Sequence, residues 1–374
     1  MSALFTPLSL GPFSLPNRVA IAPMCQYSAD DGSASVWHLQ QIMQYAMSGV
    51  GLVTLEATGV ERRGRISHGC LGLYSDANEA ALAHVLTAAR GVALPGTRIG
   101  IQLAHAGRKA STQRPWEGGR SLAPDQDPWP IVAPSAIPFA AGYQTPEALD
   151  DAGLARVKAG FVQAAVRAER LGFDAVELHC THGYLLDAFL SPHANKRGDA
   201  YGGNRAGRMR FPLEVAEAVR AAVSKTMVMG ARITGTDWTD GGWSPEDAGV
   251  FAQELKARGA GYVCVSSGGI IPGVSIPQGP GYQVELAAHV KRASGLPTRA
   301  VGHIVTAEQA NTIVENGEAD MVALARAILD NPRWVWHAAD RLGAKIEYPP
   351  QYARVAPSLW KAAHLARPED FPPG

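Results

Sequence analysis

Short apolar, β-branched runs recur along the chain, and a stretch with helical spacing follows most of them. The runs are Arg18–Ala22, Gly51–Ala57, Arg98–His105, Ala175–His179, Val228–Thr234, Tyr262–Ser267, Thr298–Ile304 and Met321–Arg326. They read as near-continuous apolar strands, as expected when both faces are covered. The helices between them have readable starts. Ser244 stands as a cap before Pro245 in the first helical position. Thr306 and Gln309 have capping-box spacing, with Gln309 expected to reach back to the Thr306 amide. Asn331-Pro332 is expected to open another helix, ended by Gly343. Val157, Phe161, Ala165, Ala168 and Leu171 fall on one helical face.

Eight such strand–helix units predict an α/β fold, a single closed (β/α)8 TIM barrel. A doubly wound open sheet is the alternative, but no run is followed by GxGxxG or GxxxxGK[ST]. Leu8–Asn17 is expected to form a hairpin across the barrel bottom. Residues 106–150, rich in Pro, Trp and Gly, are too long for an ordinary connection. They predict an insertion after strand three that acts as a lid. Residues 1–345 are thus assigned to the barrel and 346–374 to a C-terminal arm on the surface or on a neighbouring subunit.

The 374 residues carry 34 basic and 34 acidic side chains, a balance that argues against a nucleic-acid partner. The apolar share of 46% supports a large core. No apolar run reaches the ~18 residues of a membrane span, and the first residues lack a signal-peptide pattern. Cys25, Cys70, Cys180 and Cys264 are far apart, with no CxxC. The expectation is a cytoplasmic protein with free thiols, no disulfide framework and no metal.

In a barrel, chemistry sits at the C-terminal strand ends. There the strands deliver, in order, Ala22-Pro23-Met24-Cys25-Gln26-Tyr27; Glu56 and Ala57; Gln102 and His105; His179, His182 and Tyr184; Arg232; Ser266 to Gly269; Gly302; and Ala325 with Arg326. His179 and His182 admit three readings: metal ligands, structural histidines, or two N–H donors on one oxygen that gains negative charge. The third is favoured, because no third metal ligand is well placed. Arg232 inside a strand needs either a carboxylate or an electron-rich ligand. Arg326, beside Gly302 and a helix start, suits a phosphate, with Gly268 and Gly269 adding amides at close approach.

PMCQYS at Pro23–Ser28, EAT at Glu56–Thr58, QLAHAGRKA at Gln102–Ala110, HCTHGYLL at His179–Leu186, DAYGG at Asp199–Gly203, RFPLE at Arg210–Glu214 and ARAIL at Ala325–Leu329 resemble the Old Yellow Enzyme family. The Cys25-Gln26-Tyr27 start and the Gln351–Arg354 tail resemble its xenobiotic-reductase, "thermophilic-like" class of ene-reductases. The resemblance implies tightly bound FMN, with NADPH or NADH as transient co-substrate. Ala22, Pro23, Met24, Cys25, Ala57 and Gln102 would contact the flavin. Arg232 would sit at the N1–C2=O edge, where reduced flavin is negative. Gly268, Gly302, Ala325 and Arg326 would hold the phosphate end. Tyr27, His179 and His182 would bind substrate, an activated alkene, and Tyr184 would donate the proton.

The resemblance further implies ping-pong hydride transfer and a homodimer or dimer of dimers, in which Arg354 enters the neighbour's substrate pocket. Departures from the family pattern are Ala325 in place of glycine and Cys180-Thr181 between the histidines. Gly207-Arg208 is read in place of the Asn-Arg pair that follows Tyr-Gly-Gly, which would cost a supporting contact. A metal-dependent hydrolase and a non-catalytic flavin carrier are the rival classes. A dienoyl-CoA reductase would need a cysteine cluster and a further domain.

Overall fold

The computed structural model describes residues 2–367. Eight parallel strands close into a barrel. They are β1 (Val19–Ile21), β2 (Leu52–Gly59), β3 (Arg98–Ala104), β4 (Ala175–Cys180), β5 (Val228–Thr234), β6 (Tyr262–Ser266), β7 (Thr298–Ala300) and β8 (Met321–Leu324). Sequential strands are neighbours throughout, and Leu324 pairing with Ile21 closes the ring. Nearly every strand residue is buried, because helices cover the outer faces and side chains fill the inside. Those helices are α1 (Val36–Ala46), α2 (Asp76–Val92), α3 (Asp151–Leu171), α4 (Arg205–Ala222), α5 (Pro245–Ala257), α6 (Val284–Ser294), α7 (Ala307–Glu315) and α8 (Trp334–Arg341).

Most boundaries follow the sequence signals, and the exceptions have local causes. Ser244 caps α5 by accepting from the Asp247 amide at 3.2 Å. Val157, Phe161, Ala165 and Ala168 of α3 are fully buried, while Leu171 is only partly so. The capping box of α7 closes one residue upstream of the expected place: Gln309 accepts from the Val305 amide, not from Thr306. Helix α8 starts at Trp334 rather than at Asn331-Pro332, because Asn331 Oδ1 accepts from the Arg333 amide at 3.0 Å in a turn of its own. Strands β7 and β8 stop at Ala300 and Leu324, short of the expected Ile304 and Arg326. Beyond them Gly302 turns to φ 111 and Ala325 to ψ −96. Strand β2 instead runs on to Gly59, with a register shift at Glu56.

Leu8–Leu10 pairs antiparallel with Phe13–Leu15. Leu10, Phe13 and Leu15 pack on Ala20, Leu52, Ala175, Val228, Tyr262 and Met321, which seals the bottom of the barrel. Higher in the interior, Glu177 of β4 and Arg299 of β7 form an ion pair with no solvent exposure on either side chain. Tyr262 Oη donates to Glu177 at 2.9 Å, and Gln102 Nε2 does so at 2.8 Å. This polar layer fixes three strands against β4 and leaves the opposite mouth open.

Residues 106–150 contain short helical turns and one parallel pairing of Val132–Ala133 with Glu147–Ala148. The insertion reaches the barrel mouth, where Arg114 Nε donates to the Tyr27 carbonyl at 3.1 Å and Trp116 meets the Tyr27 ring. No contact is lost after Tyr201-Gly202-Gly203. Asn204-Arg205 follow directly as the Asn-Arg pair, and Asn204 caps α4 by accepting from the Gly207 amide at 2.9 Å. A Cβ at Gly207 would lie 2.1 Å from the Gly202 carbonyl, so glycine is required there. The arm is not featureless: it contains a 3-10 turn at Pro350–Val355 and a helical turn at Ala363–Ala366. The last part of the expected arm, 368–374, lies outside the described residues. Among the described residues no helix is long and apolar enough to cross a membrane.

Candidate active site

A cavity of about 860 Å3 opens at the C-terminal mouth, within the size range of small-molecule sites. Of the residues expected at this mouth, His182, Arg232, Ser266 to Gly269, Gly302, Ala325 and Arg326 line it. Ala22 forms part of the floor, buried against Cys264, Val301 and Ala323, with Ala325 packed beside them. Pro23, Met24, Cys25 and Tyr27 run half-buried along the rim after β1. Their path is set by Glu56, whose carboxylate accepts from the Gln26 amide at 3.0 Å and pairs with His38 at 3.2 Å. Ala57, His179 and Tyr184 meet around a second void of about 10 Å3. Gln102 lies beneath, tied to Glu177. His105 is turned away from the site, held by Glu61 at 2.9 Å and by the Gly107 amide.

His179 stands edge-on to both His182 and Tyr184, with ring centres 5.4 and 4.9 Å apart. Its Nδ1 is buried with no hydrogen-bond partner. Burial first, and then the positive charge of Arg232, hold both imidazoles well below the usual histidine range. Each is therefore neutral and carries one N–H. His182 Nε2 lies 2.8 Å from Ser266 Oγ, which also receives Arg232 Nη2 at 3.3 Å. Ser266 Oγ also lies 3.4 Å from Gln283 Oε1, so its one hydrogen has two acceptors in reach, and His182 Nε2, Arg232, Ser266 and Gln283 form one network. The metal reading fails on geometry: Glu177 is committed to Arg299, and Cys180 is buried in the apolar core.

Arg232 has no carboxylate partner among the described residues, and its Nε is buried without an acceptor. A guanidinium with no carboxylate and an unpaired buried Nε–H, facing an open cavity, fits an electron-rich ring edge. At the far side Arg326 projects beside His303, Nη2 to Nε2 2.7 Å. Gly302 and Gly268 adopt φ 111 and 70 there. A Cβ on Gly302 would meet Gln283 at 2.5 Å, so glycine is required at this turn. A cationic pocket for a ring at one end and an arginine among close-approach glycines at the other fit the expected FMN. Ala325 keeps a backbone bend at φ −118, which an L-residue tolerates.

Burial, reinforced by the Glu56 carboxylate, pushes the Cys25 thiol well above its usual range. Burial likewise keeps the Tyr184 phenol protonated far into alkali. Arg354 is not brought to this cavity: it is exposed on the arm. Three residues at the site have no role readable from the sequence, although Lys109 falls inside the Gln102–Ala110 segment. Lys109 follows β3 by five positions, and only the fold returns it to the histidines, with Nζ 2.8 Å from the His182 carbonyl. Gln283 is buried at the start of α6, where it accepts from Ser267 and donates to the Val301 carbonyl. His303 sits at φ 48 against Arg326, in a turn that no motif marks.

Residues 3–344 match the model of the NADH:flavin oxidoreductase / NADH oxidase family. An NADPH dehydrogenase of Geobacillus thermodenitrificans is 40% identical, covering 94% of this chain and 98% of its own length. An NADPH dehydrogenase of Listeria innocua is also 40% identical, covering 96% of this chain and 100% of its own. Morphinone reductase superposes with a TM-score of 0.74 at 31% identity, covering 94% of this chain and 92% of its own. Morphinone reductase in complex with tetrahydroNAD gives 0.74 at 30% identity, with 93% of each chain covered.

Proposed function

Because the chain belongs to the NADH:flavin oxidoreductase / NADH oxidase family, the Old Yellow Enzyme family, and is an FMN-dependent NADPH oxidoreductase, we propose that it reduces the activated C=C bond of α,β-unsaturated carbonyl compounds. The observation that carries this reading is the neutral histidine pair. His179 and His182 offer N–H donors at one mouth, withdrawn from water and next to Arg232. Such donors are worth most where charge develops only in the transition state.

Once reduced by NADPH, bound FMN would supply the hydride. Arg232 would stabilise negative charge at the ring edge, and Arg326 with Gly302 and Ala325 would hold the phosphate. Pro23, Met24, Cys25, Ala57 and Gln102 would shape the ring's bed. His179 and His182 hold the carbonyl oxygen as it becomes an enolate, and Tyr27 flanks it. Tyr184, kept protonated by burial, delivers a proton to the α-carbon. NADPH and alkene visit one cavity in turn, which makes the kinetics ping-pong. We assign the protein to the cytoplasm on its four free cysteines. It works as a homodimer or dimer of dimers, with the arm from 346 onward against a neighbour.

Anaerobic titration tests the reading. The purified protein should be yellow, bleach under NADPH, and regain its colour with cyclohexenone in stoichiometric amount. A protein that bleaches but regains colour only with oxygen, across a panel of enones, would rule the alkene reaction out.

A further inference from the structure

The peptide bond between His182 and Gly183 is held at both ends by ionisable side chains. Its carbonyl oxygen accepts from Lys109 Nζ at 2.8 Å. Its N–H donates to Asp187 Oδ2 at 2.7 Å. His182 and Gly183 sit at φ 63 and 74, the left-handed region that favours glycine. A Cβ on Gly183 would lie 2.3 Å from the Gly269 carbonyl, so the turn is pressed against the loop after β6. Lys109 donates to that same Gly269 carbonyl at 3.1 Å. One ammonium thus ties the β4 loop to the β6 loop. Asp187 is fully buried on the other side, with Asp237 behind it, likewise buried and held by Ser191 and by the Trp243 amide.

We propose that Lys109 and Asp187 are positioning residues: they clamp the 182–183 peptide from its two ends and so aim His182 and Tyr184 at the substrate oxygen and α-carbon. The proposal rests on the alkene-reduction reading of the site. An uncompensated change in ψ of His182 or φ of Gly183 redirects the chain into Tyr184, and holding the peptide plane at both ends opposes it. The strain at His182 persists only where its surroundings fix it, and these two side chains are the fixing groups.

The groups facing Lys109 are Asp187 across the peptide, Arg108 on its own segment, and Tyr184, His179 and His182 at the end of β4. Asp187 in turn faces Asp237 and Cys180. Burial pushes the Lys109 ammonium down to about 8. Its charged form is present below that pH and lost as pH rises through it, so the Lys109 end of the clamp slackens toward alkali; burial and then Asp237 push the Asp187 carboxyl up to about 8 as well, so its hold on the Gly183 N–H strengthens over that range and does not cause the loss.

The test compares Lys109→Met, Lys109→Arg, Asp187→Asn and Asp187→Leu with the parent as FMN-loaded proteins. Two readouts are used: the anaerobic rate of enone-driven flavin oxidation, and the affinity for pentafluorophenolate, an enolate mimic, followed by flavin absorbance. Lys109→Met and Asp187→Leu should lose roughly 10²-fold in both, the cost of a small misplacement, while reduction by NADPH changes much less. Asp187→Asn retains an acceptor for Gly183 and should stay near the parent. The parent should lose enone rate above about pH 8, and Lys109→Arg, still charged, should not. Parent-like phenolate affinity in Lys109→Met overturns the clamp. If that variant does not fold, an alkaline limb unchanged in Lys109→Arg overturns it instead. A parent that binds phenolate but is never oxidised by enones sinks the substrate reading, while the phenolate data still decide the clamp.

Discussion

Ser266 Oγ lies 2.8 Å from His182 Nε2 and fixes the orientation of that ring. The same oxygen receives Arg232 Nη2 at 3.3 Å and lies 3.4 Å from Gln283 Oε1. Ser266→Ala removes this contact without emptying the cavity. We expect enone-driven flavin oxidation to slow by roughly 10–100-fold, the usual cost of losing an orienting partner. Reduction by NADPH should be less affected. Equal loss in both half-reactions would assign Ser266 to the flavin rather than to His182.

Removing either imidazole should cost more. By the oxyanion argument, His179→Ala or His182→Ala slows enone reduction by roughly 10²–10³-fold, with FMN content little changed. Stopped-flow half-reactions separate the two steps. Variants that lose FMN yet reduce enones normally per flavin would overturn the carbonyl role.

Cys25 should tune rather than react. Its thiol is pushed well above the usual range by burial and then by Glu56, so no thiolate is available near neutrality. Cys25→Ser is expected to remain active with a shifted flavin midpoint potential, measured by dye-coupled reduction. Full inactivation with FMN still bound would instead mark a nucleophile.

The Glu177–Arg299 pair predicts a stability effect. Both side chains are fully buried, so truncating one leaves the other charge without compensation. Glu177→Ala should lower unfolding free energy by about 3–5 kcal/mol. The double change Glu177→Leu with Arg299→Leu should cost less than Glu177→Ala alone. Urea unfolding of the three proteins checks the order.

How legible the site was depended on how local its signals were. The β-branched runs and the caps at Ser244 and Thr306 are short-range features, and the barrel follows from them. His179 and His182 share one motif and could be read as a pair. Lys109 and Gln283 could not, because their partners are 73 and 18 residues away. Ends of strands misled wherever a polar residue turned outward: His105 has the look of a site residue but serves Glu61. Boundaries at β7 and β8 slipped because their apolar runs continue past the backbone bends at Gly302 and Ala325.

The arm gives the last prediction. Arg354 is exposed on the Pro350–Val355 turn and does not reach the cavity of its own chain. Tyr352, three-eighths exposed at 38%, packs against Trp336 and Arg333, which anchors the turn to the barrel. Beyond it Leu359 and Leu365 stand 66% and 74% exposed, an apolar face that a second copy would cover. If Arg354 completes a neighbour's substrate pocket, Arg354→Ala should raise KM for the enone with little change in FMN reduction. Mixing decides whether it acts in trans. Arg354→Ala and His182→Ala, each impaired alone, are unfolded together and refolded with FMN. A mixed dimer has one intact site, in the Arg354→Ala subunit served by its partner's arginine, so activity should rise above either parent. Mixed dimers confirmed by mass spectrometry with no such rise would place Arg354 outside the site.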